Sequence, residues 1–183
     1  MADIHVYSCD GRMPAELFEQ FFVLMENSFP TTERRDREGF SEELSRERFH
    51  LMCDTVEDKL VAVLTYYDFD EFIYVEHFAV NSEERGHGVG SDMMKHLLSD
   101  ADGKTVVLEV EPPSDGDIAR HRIAFYERLG FVLNNYEYIQ PPLMKGEPSI
   151  PLMIMANPNL LSSEGFEKIR DTLYKEVYGI MNN

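Results

Sequence analysis

Residues 75–91 read VEHFAVNSEERGHGVGS, and this stretch decides the fold. It contains the end of an apolar and aromatic run, Phe72–Val80, that is long enough for a β-strand. Gly86, Gly88 and Gly90 follow at alternate positions, and apolar side chains then recur at helical spacing. Glycine permits positive φ and the close approach of a ligand, and the first N–H groups of a helix attract an anion. The stretch therefore predicts a strand, a tight turn and a helix whose N-terminus binds an anion the size of a diphosphate.

The glycine loop, Arg85–Gly90, differs from two phosphate-binding motifs. A P-loop has lysine and then Ser or Thr after its last glycine, whereas Ser91 follows Gly90 directly. The dinucleotide fingerprint has its third glycine one position later. The loop instead resembles Arg/Gln-x-x-Gly-x-Gly/Ala, the pyrophosphate loop of the GCN5-related N-acetyltransferase (GNAT) family. The alternative interpretation is a tight strand-to-helix turn without a ligand.

A second motif downstream strengthens the resemblance. Residues 123–131, IAFYERLGF, are similar to the GNAT segment that has a tyrosine, a few helical residues and then Gly-Phe. Gly130 is expected to end a helix, and Phe131 to begin a strand. The run Thr105–Val110 between the two motifs has the composition of a strand. This order of elements is that of the GNAT core, and the resemblance covers the chain from about residue 60 to residue 133.

The resemblance implies an α+β fold of the GNAT type, three-layer-like, with a mixed, mostly antiparallel central sheet and helices on both faces. Residues 1–183 would form one such domain. Acetyl-CoA would be the acyl donor, and Tyr126 the general acid that protonates the departing thiolate. No metal is expected. The cofactor contacts, largely from the backbone, are expected at Phe78, Ala79, Val80, Arg85, Gly86, His87, Gly88, Val89, Gly90, Ser91 and Phe125.

One position departs from the family pattern. Many GNAT members have an asparagine seven residues before the tyrosine, and this chain has Ala119 there. Arg120, His121 and Arg122 stand nearby and could serve the phosphates in its place.

Glu76 is the candidate general base. By strand alternation its side chain would lie on an apolar face, where burial raises the pKa of a carboxyl towards the range of a base. The neighbours on that face would be Phe72, Tyr74, Phe78 and Val80. The alternative is a structural pairing of Glu76 with an arginine, a histidine or a backbone N–H. Glu109 and Glu111 on the next strand are rival bases, and His77 is expected on the opposite face from Glu76.

Charge, hydropathy and cysteine content limit the kinds of binding partner and the cellular location that we expect for this protein. With 34 acidic and 17 basic residues, the net charge is −17, which disfavours nucleic acid and membrane surfaces. The negative surface charge keeps the protein soluble or, alternatively, attracts a cationic amine substrate. No apolar run reaches the roughly 18 residues of a membrane span, and the N-terminus lacks a signal-peptide pattern. Cys9 and Cys53 form no metal-spaced cluster, so we expect a cytoplasmic protein with reduced cysteines.

Periodicity and breakers predict the remaining elements. The helices would be Pro14–Glu26, Ser41–Arg48, Gly88–Asp100, Ile118–Leu129 and an amphipathic Ser163–Asn183. The strands would be Asp3–Ser8, Phe49–Cys53, Leu60–Tyr67, Phe72–Val80, Thr105–Val110, Phe131–Leu133, Tyr136–Ile139 and Leu152–Met155. The last helix would pack on its own domain or form an oligomer contact, so monomer and homodimer both stay open. The charged run Glu33–Glu38 is a solvated loop or, alternatively, a segment beside the acceptor whose arginines recognise a carboxylate.

These observations favour an N-acyltransferase that moves an acetyl group from acetyl-CoA directly to a primary amine. One rival is a non-catalytic acyl-CoA-binding or regulatory module on the same fold. A more distant rival is a nucleotide-phosphate binder of another fold. The acceptor, a small amine or a peptide amine, is not readable from the sequence, because fold does not settle substrate.

Overall fold

The computed structural model describes residues 3–9, 13–144 and 146–180, and the chain divides into two compact units, Met1–Val106 and Val107–Asn183. Within the described residues, eight strands and five α-helices are present. The prediction of an α+β fold with a mixed, mostly antiparallel sheet is confirmed. The expectation that the chain is a single domain stays a prediction.

The first unit is an antiparallel sheet with helices packed on it. Its elements are β1 (Asp3–Tyr7), α1 (Ala15–Ser28), α2 (Arg37–Glu43), β2 (Phe49–Val56), β3 (Lys59–Asp68), β4 (Phe72–Val80) and α3 (Val89–Asp100), followed by the start of β5 (Thr105–Val110). Strands β1 to β4 pair in chain order, each antiparallel to the next. The rings of Phe21 in α1 and Phe40 in α2 meet edge to face with centroids 5.0 Å apart, and both are fully buried. Phe40 also contacts the ring of His77 in β4, with centroids 5.7 Å apart, so α2 packs on the sheet as well as on α1.

The second unit continues β5 and adds α4 (Asp117–Arg128), β6 (Val132–Leu133), β7 (Tyr138–Gln140), β8 (Ile150–Asn157) and α5 (Ser163–Glu176). Strand β8 lies between β5 and β6 and also pairs with β7. Helix α5 buries Phe166, Ile169 and Leu173, which recur at spacings of three and four.

Strand β4 contains a β-bulge at Glu76. Thr65 of β3 pairs with His77, whereas the next residue, Tyr66, pairs with Val75. Glu76 is therefore an extra residue, and it interrupts the alternation of side chains between the two faces of the strand. The bulge brings the side chains of Glu76 and His77 to the same face, where they are only 1% and 2% exposed.

Two predicted helix boundaries are wrong. Helix α2 spans Arg37–Glu43 rather than Ser41–Arg48, because the Asp36 side chain accepts a hydrogen bond from the backbone N–H of Gly39 at 2.8 Å and starts the helix early. Helix α5 ends at Glu176, and Gly179, with φ +68, terminates that region of chain in the left-handed conformation. Residues 181–183 of the predicted helix lie outside the described residues.

Candidate active site

The glycine loop presents the start of α3 without a side-chain cap. Gly86 and Gly88 have φ of +83° and +89°, values that glycine adopts without strain. Gly88 is the N-cap residue, and no side chain of the described residues caps the first turn of α3. The N–H groups of that turn are therefore available to an anion, and the helix dipole favours negative charge there.

Gly90 allows α3 to lie close to β4. A Cβ atom at Gly90 would be 3.2 Å from Cζ of Phe78 and 3.2 Å from Cγ2 of Val80. A larger residue would displace those side chains or the helix. The contact also shows that Phe78 and Val80 face α3, whereas Glu76 faces the segment between α1 and α2. The predicted shared face is wrong for Phe78 and Val80, which follow the bulge, because the bulge at Glu76 shifts the alternation by one residue.

His77 contacts Glu76, although it was expected on the opposite face. Nδ1 of His77 lies 3.2 Å from Oε2 of Glu76. Nε2 lies 2.8 Å from the carbonyl oxygen of Glu33 and must carry the hydrogen, because a carbonyl only accepts. The Thr65 hydroxyl accepts from the backbone N–H of His77 at 3.1 Å and lies 3.2 Å from Nδ1. Through these contacts, His77 connects the segment before α2, at Glu33, to the bulge in β4.

Glu76 is buried and paired with Arg35. Its Oε1 accepts a 2.8 Å hydrogen bond from Nη2 of Arg35. Burial by itself would raise the pKa of Glu76, but the positive charge of Arg35, with a further contribution from His77, lowers that pKa to about 2. The predicted rise is therefore wrong, and the structural pairing given as its alternative is observed. Apart from the 3.2 Å contact with Nδ1 of His77, the buried Oε2 of Glu76 makes no hydrogen bond with the described residues.

Arg35, Glu43, Tyr67 and Glu76 form a buried charge cluster. Nη1 of Arg35 lies 3.3 Å from Oε1 of Glu43, and Nη2 donates to the Tyr67 hydroxyl at 3.1 Å. That hydroxyl donates in turn to Oε2 of Glu43 at 2.7 Å. Burial, with the adjacent Glu76, raises the pKa of Tyr67, so its proton stays in place. The expectation of a solvated charge run is wrong at Arg35, which is 8% exposed and whose guanidinium is taken up by internal carboxylates.

The sequence reasoning missed Arg35, Glu43 and Tyr67 as one group. They come from the segment before α2, from α2 and from β3. No spacing in the sequence links them, because the hydrogen bonds from Arg35 to Tyr67 and to Glu76 span 32 and 41 residues. The only signal in the sequence was an arginine within a charged run. Such arginines are too common for this feature to identify a buried partner.

Tyr126 lies on α4 in the second unit with an unengaged hydroxyl. Its ring packs edge to face on Phe125 and Phe131, with centroids 5.2 Å and 5.6 Å away. The residue is buried, and burial raises the pKa of its phenol to about 12, against an opposing effect of Arg122. No hydrogen-bond partner for the hydroxyl is found among the described residues. The group therefore keeps its proton at neutral pH and can donate it to a ligand.

Glu109, one of the rival bases, is a structural acceptor in the second unit. The hydroxyl of Tyr138 donates to its Oε1, Nε2 of Gln140 donates to Oε2 at 2.6 Å, and the Tyr178 hydroxyl lies 3.0 Å from Oε1. These donors come from β7 and from the chain after α5, so the carboxylate ties both to β5. Burial and Glu109 together raise the pKa of Tyr138, which keeps this donor protonated.

Glu111, Arg120 and Arg122 form ion pairs with each other or with neighbouring residues. Oε2 of Glu111 accepts from Nη1 of Arg122. Arg120 bonds the carboxylate of Asp117 at 2.5 Å and the carbonyl of Pro113 at 2.9 Å. The suggestion that these arginines serve the phosphates stays a prediction.

The remaining predicted cofactor residues are mostly accessible. Ala79 is buried in β4, and Phe125 on α4 is half-buried. Nε of Arg85 donates to the carbonyl of Val80 at 3.0 Å. The exposed members are Arg85, Gly86, His87 and Gly88, and the half-buried ones are Val89, Gly90 and Ser91.

Metal-type clusters and membrane-spanning helices are both absent from the part of the chain that the structure describes. No three or more of its His, Cys, Asp and Glu residues lie close enough to share an ion. None of its helices combines the length and apolarity needed to cross a bilayer.

The chain is similar to several known proteins. The sequence model of the Acetyltransferase (GNAT) family matches residues 14–131. A solved protein of Bacteroides thetaiotaomicron, "Putative acetyltransferase from GNAT family", is 35% identical with a TM-score of 0.86, over 98% of this chain and 99% of that one. "Putative acetyltransferase YjbC" of Bacillus subtilis (strain 168) is 34% identical over 70 residues, which are 38% of this chain and 35% of that protein's length. An aminoglycoside 6′-N-acetyltransferase solved with coenzyme A shares the fold, with a TM-score of 0.63 and 17% identity over 85% of this chain and 96% of that one.

Proposed function

Because the chain belongs to the Acetyltransferase (GNAT) family, we propose that it transfers an acetyl group from acetyl-CoA to a primary amine. The observation that carries this proposal is the start of α3, where two glycines at positive φ precede a helix with no side-chain cap. Backbone N–H groups in this arrangement suit the diphosphate of coenzyme A. They act locally, which matters because the net charge of −17 repels a polyanion at longer range.

The cofactor would lie along β4 and at the glycine loop. The backbone of Phe78, Ala79 and Val80 would pair with the pantetheine arm as an added strand. Residues 85–91 would hold the diphosphate, mainly through amides. Phe125 would pack on the arm, as the resemblance of residues 123–131 implies.

The reaction needs a nucleophile, an oxyanion and a proton for the leaving group. The neutral amine attacks the thioester carbonyl carbon, the C–N bond forms, and the tetrahedral intermediate then loses the C–S bond. Tyr126 gives its phenolic proton to the departing thiolate, and the nitrogen releases the proton that it carries in excess. The products are the N-acetylated amine and free coenzyme A, and Tyr126 regains a proton from water.

Glu76 enters this scheme in a changed role. A carboxylate whose pKa is about 2 is too weak a base to hold an amine proton at neutral pH. We propose that the ionised Glu76 acts electrostatically, by favouring positive charge on the acceptor nitrogen as the intermediate forms. Glu76→Gln should then lower kcat/KM without changing the shape of its pH profile. A loss of the acidic limb of that profile would restore Glu76 as the base.

A non-catalytic acyl-CoA-binding module is the second candidate. The buried pairing of Glu76 with Arg35 favours it, because the same pairing would serve a purely structural purpose. Such a module would bind acetyl-CoA but release no thiol with any amine.

Titration calorimetry with acetyl-CoA, with ATP and NAD as controls, tests the proposal first. Micromolar binding of acetyl-CoA alone is expected. An amine panel, from small amines to peptides with a free N-terminus, would then be screened for thiol release. Binding of acetyl-CoA without thiol release would favour the non-catalytic module. If acetyl-CoA does not bind at all, the glycine loop is only a strand-to-helix turn and the proposal is wrong.

A further inference from the structure

The chain between α1 and α2, residues 29–36, lies over Glu76 and His77 of β4. Arg35 of this segment donates to Oε1 of Glu76 at 2.8 Å, and the side chains of Glu76 and His77 are 1% and 2% exposed. The regular structure of the segment is one 3₁₀ turn, Thr31–Glu33. So short a turn has little stability of its own, and contacts with the sheet must therefore set the position of the segment.

His77 contacts the segment at its start, at its middle and just beyond its end. Nε2 of His77 donates to the carbonyl oxygen of Glu33 at 2.8 Å. The ring packs edge to face on Phe29, with centroids 5.0 Å apart, and on Phe40 in α2, with centroids 5.7 Å apart. One side chain of β4 thus connects the whole segment to the sheet.

The orientation of the His77 ring is fixed by β3 and by the bulge. Nδ1 lies 3.2 Å from the hydroxyl oxygen of Thr65 and 3.2 Å from Oε2 of Glu76. Rotating the ring by half a turn would direct carbon atoms towards these oxygens and towards the Glu33 carbonyl, so only one orientation satisfies all of the contacts. The same ring therefore fixes the segment relative to the Glu76 carboxylate.

The two faces of β4 have different neighbours. The side chains of Phe78 and Val80 face α3, whereas those of Glu76 and His77 face residues 29–36. In the proposed reaction the cofactor is assigned to the backbone of β4 and the start of α3, and the acceptor nitrogen to the neighbourhood of Glu76. Because Arg35 covers Glu76, an amine beside this carboxylate would also contact the segment.

Resting on the proposed function, we propose that His77 is a positioning residue for the acceptor, because its hydrogen bond to Glu33 holds residues 29–36 as one wall of the amine site. With a side chain that is 2% exposed, His77 touches neither the amine nor acetyl-CoA and acts through the segment. A wall that is already ordered spares the amine the entropic cost of ordering it. The bond should therefore strengthen binding of the amine without changing that of acetyl-CoA.

NMR of the histidine side-chain nitrogens tests the bond in the wild-type protein. Nε2 of His77 should carry a hydrogen that exchanges slowly with water, because the ring is buried and its acceptor is a carbonyl. His77→Gln identifies the signal by its loss. A hydrogen on Nδ1 alone would remove the bond to Glu33 and overturn the proposal.

Steady-state kinetics of thiol release separate positioning from a purely structural role. The probes are acetyl-CoA and the amine of the panel that the wild-type protein acetylates fastest. His77→Asn, whose side chain is too short to reach Glu33, should raise KM for the amine about tenfold and leave KM for acetyl-CoA unchanged within about twofold. His77→Gln places an amide N–H near the position of Nε2 and should recover most of that loss.

Two variants outside position 77 accompany these measurements. Phe29→Leu removes a ring contact from the half-buried start of the segment and should raise KM for the amine about threefold, with His77 in place. His50→Asn is the matched control, since His50 in β2 stacks on Tyr66 of β3, with centroids 4.9 Å apart. It should leave both KM values unchanged within about twofold.

The remaining outcomes each decide the matter. Equal rises in the two KM values, or a His77→Gln variant no better than His77→Asn, would overturn the proposal and leave the proposed function intact. If neither His77 variant folds, Phe29→Leu decides, and an unchanged KM for the amine overturns the proposal. Absence of thiol release by the wild-type protein with every amine would remove the proposed function together with this inference.

Discussion

Replacing Arg35 with methionine tests whether the buried charge cluster stabilises the first unit. The change removes the guanidinium but keeps an unbranched side chain of similar length. Arg35 is 8% exposed and bonds Glu76 at 2.8 Å, so solvent cannot take over its role. Glu43 keeps Arg46 as a partner, with 2.9 Å between Nη1 and Oε2, whereas Glu76 keeps only the contact with His77.

The expected loss can be worked from Glu76. Its pKa falls from the ordinary 4.5 to about 2, and at about 1.4 kcal/mol per unit this shift corresponds to roughly 3 kcal/mol of stabilisation of the ionised form. Removing one member of a buried ion pair typically costs about 3–5 kcal/mol, because a charge is left uncompensated. Arg35→Met should therefore lower the free energy of unfolding by about 3–5 kcal/mol at pH 7.

The pH dependence has a defined sign. In the wild-type protein the folded pKa of Glu76 is below the unfolded value, so its contribution is present above pH 4.5 and is lost as the pH falls through about 2. In Arg35→Met, burial would raise the pKa of Glu76 above the unfolded value. The carboxyl can then take up a proton, and the gap in stability between variant and wild type should narrow as the pH falls from 7 to 5.

Urea denaturation followed by circular dichroism measures these differences. The double variant Arg35→Met/Glu76→Gln should be more stable than Arg35→Met alone, because it leaves no unpaired carboxylate at position 76. Arg48→Met is the control, since its pair with Asp70 is exposed and should contribute less than about 1 kcal/mol. A loss below about 1 kcal/mol for Arg35→Met at pH 7, or a double variant no more stable than the single one, would refute the reasoning.

Three further changes test the loop, the phenol and the second unit. Tyr126→Phe should lower kcat by about 10²–10⁴ with acetyl-CoA affinity unchanged within about twofold, and an unchanged kcat would make Tyr126 a core residue. Gly88→Glu should abolish acetyl-CoA binding in calorimetry, whereas Gly103→Glu, also at positive φ, should leave that binding unchanged. Equal loss of binding in both variants would mean that backbone strain, and not the anion site, explains the effect of Gly88→Glu. Tyr138→Phe removes a bond to a buried carboxylate and should cost about 1.5–3 kcal/mol in urea denaturation, against about 1 kcal/mol for Tyr136→Phe, whose partner is a backbone carbonyl. Similar losses for the two tyrosines would contradict the assigned strength of that bond.

Local patterns predicted the framework of the site well. Strands β4 and β5 have the bounds read from the sequence, and α3 begins one residue later than predicted. An apolar run, a glycine series and a helical repeat are properties of neighbouring residues, so they are readable without knowledge of the fold. The start of α2 was missed because Ser41, where the predicted helix begins, is as good an N-cap residue type as Asp36, and local sequence does not distinguish the two.

By itself, the sequence determined that a glycine loop joins a strand to a helix, and it predicted the family through residues 85–90 and 123–131. Whether Glu76 is ionised was decided only by the tertiary structure. The bulge in β4 turned Glu76 and His77 to one face, and Arg35, 41 residues away in the chain, supplied the positive charge. Strand alternation assumes an unbroken register, and it carries no information about which distant side chain packs against it. For that reason the sequence predicted a raised pKa for a carboxyl that the folded protein keeps ionised.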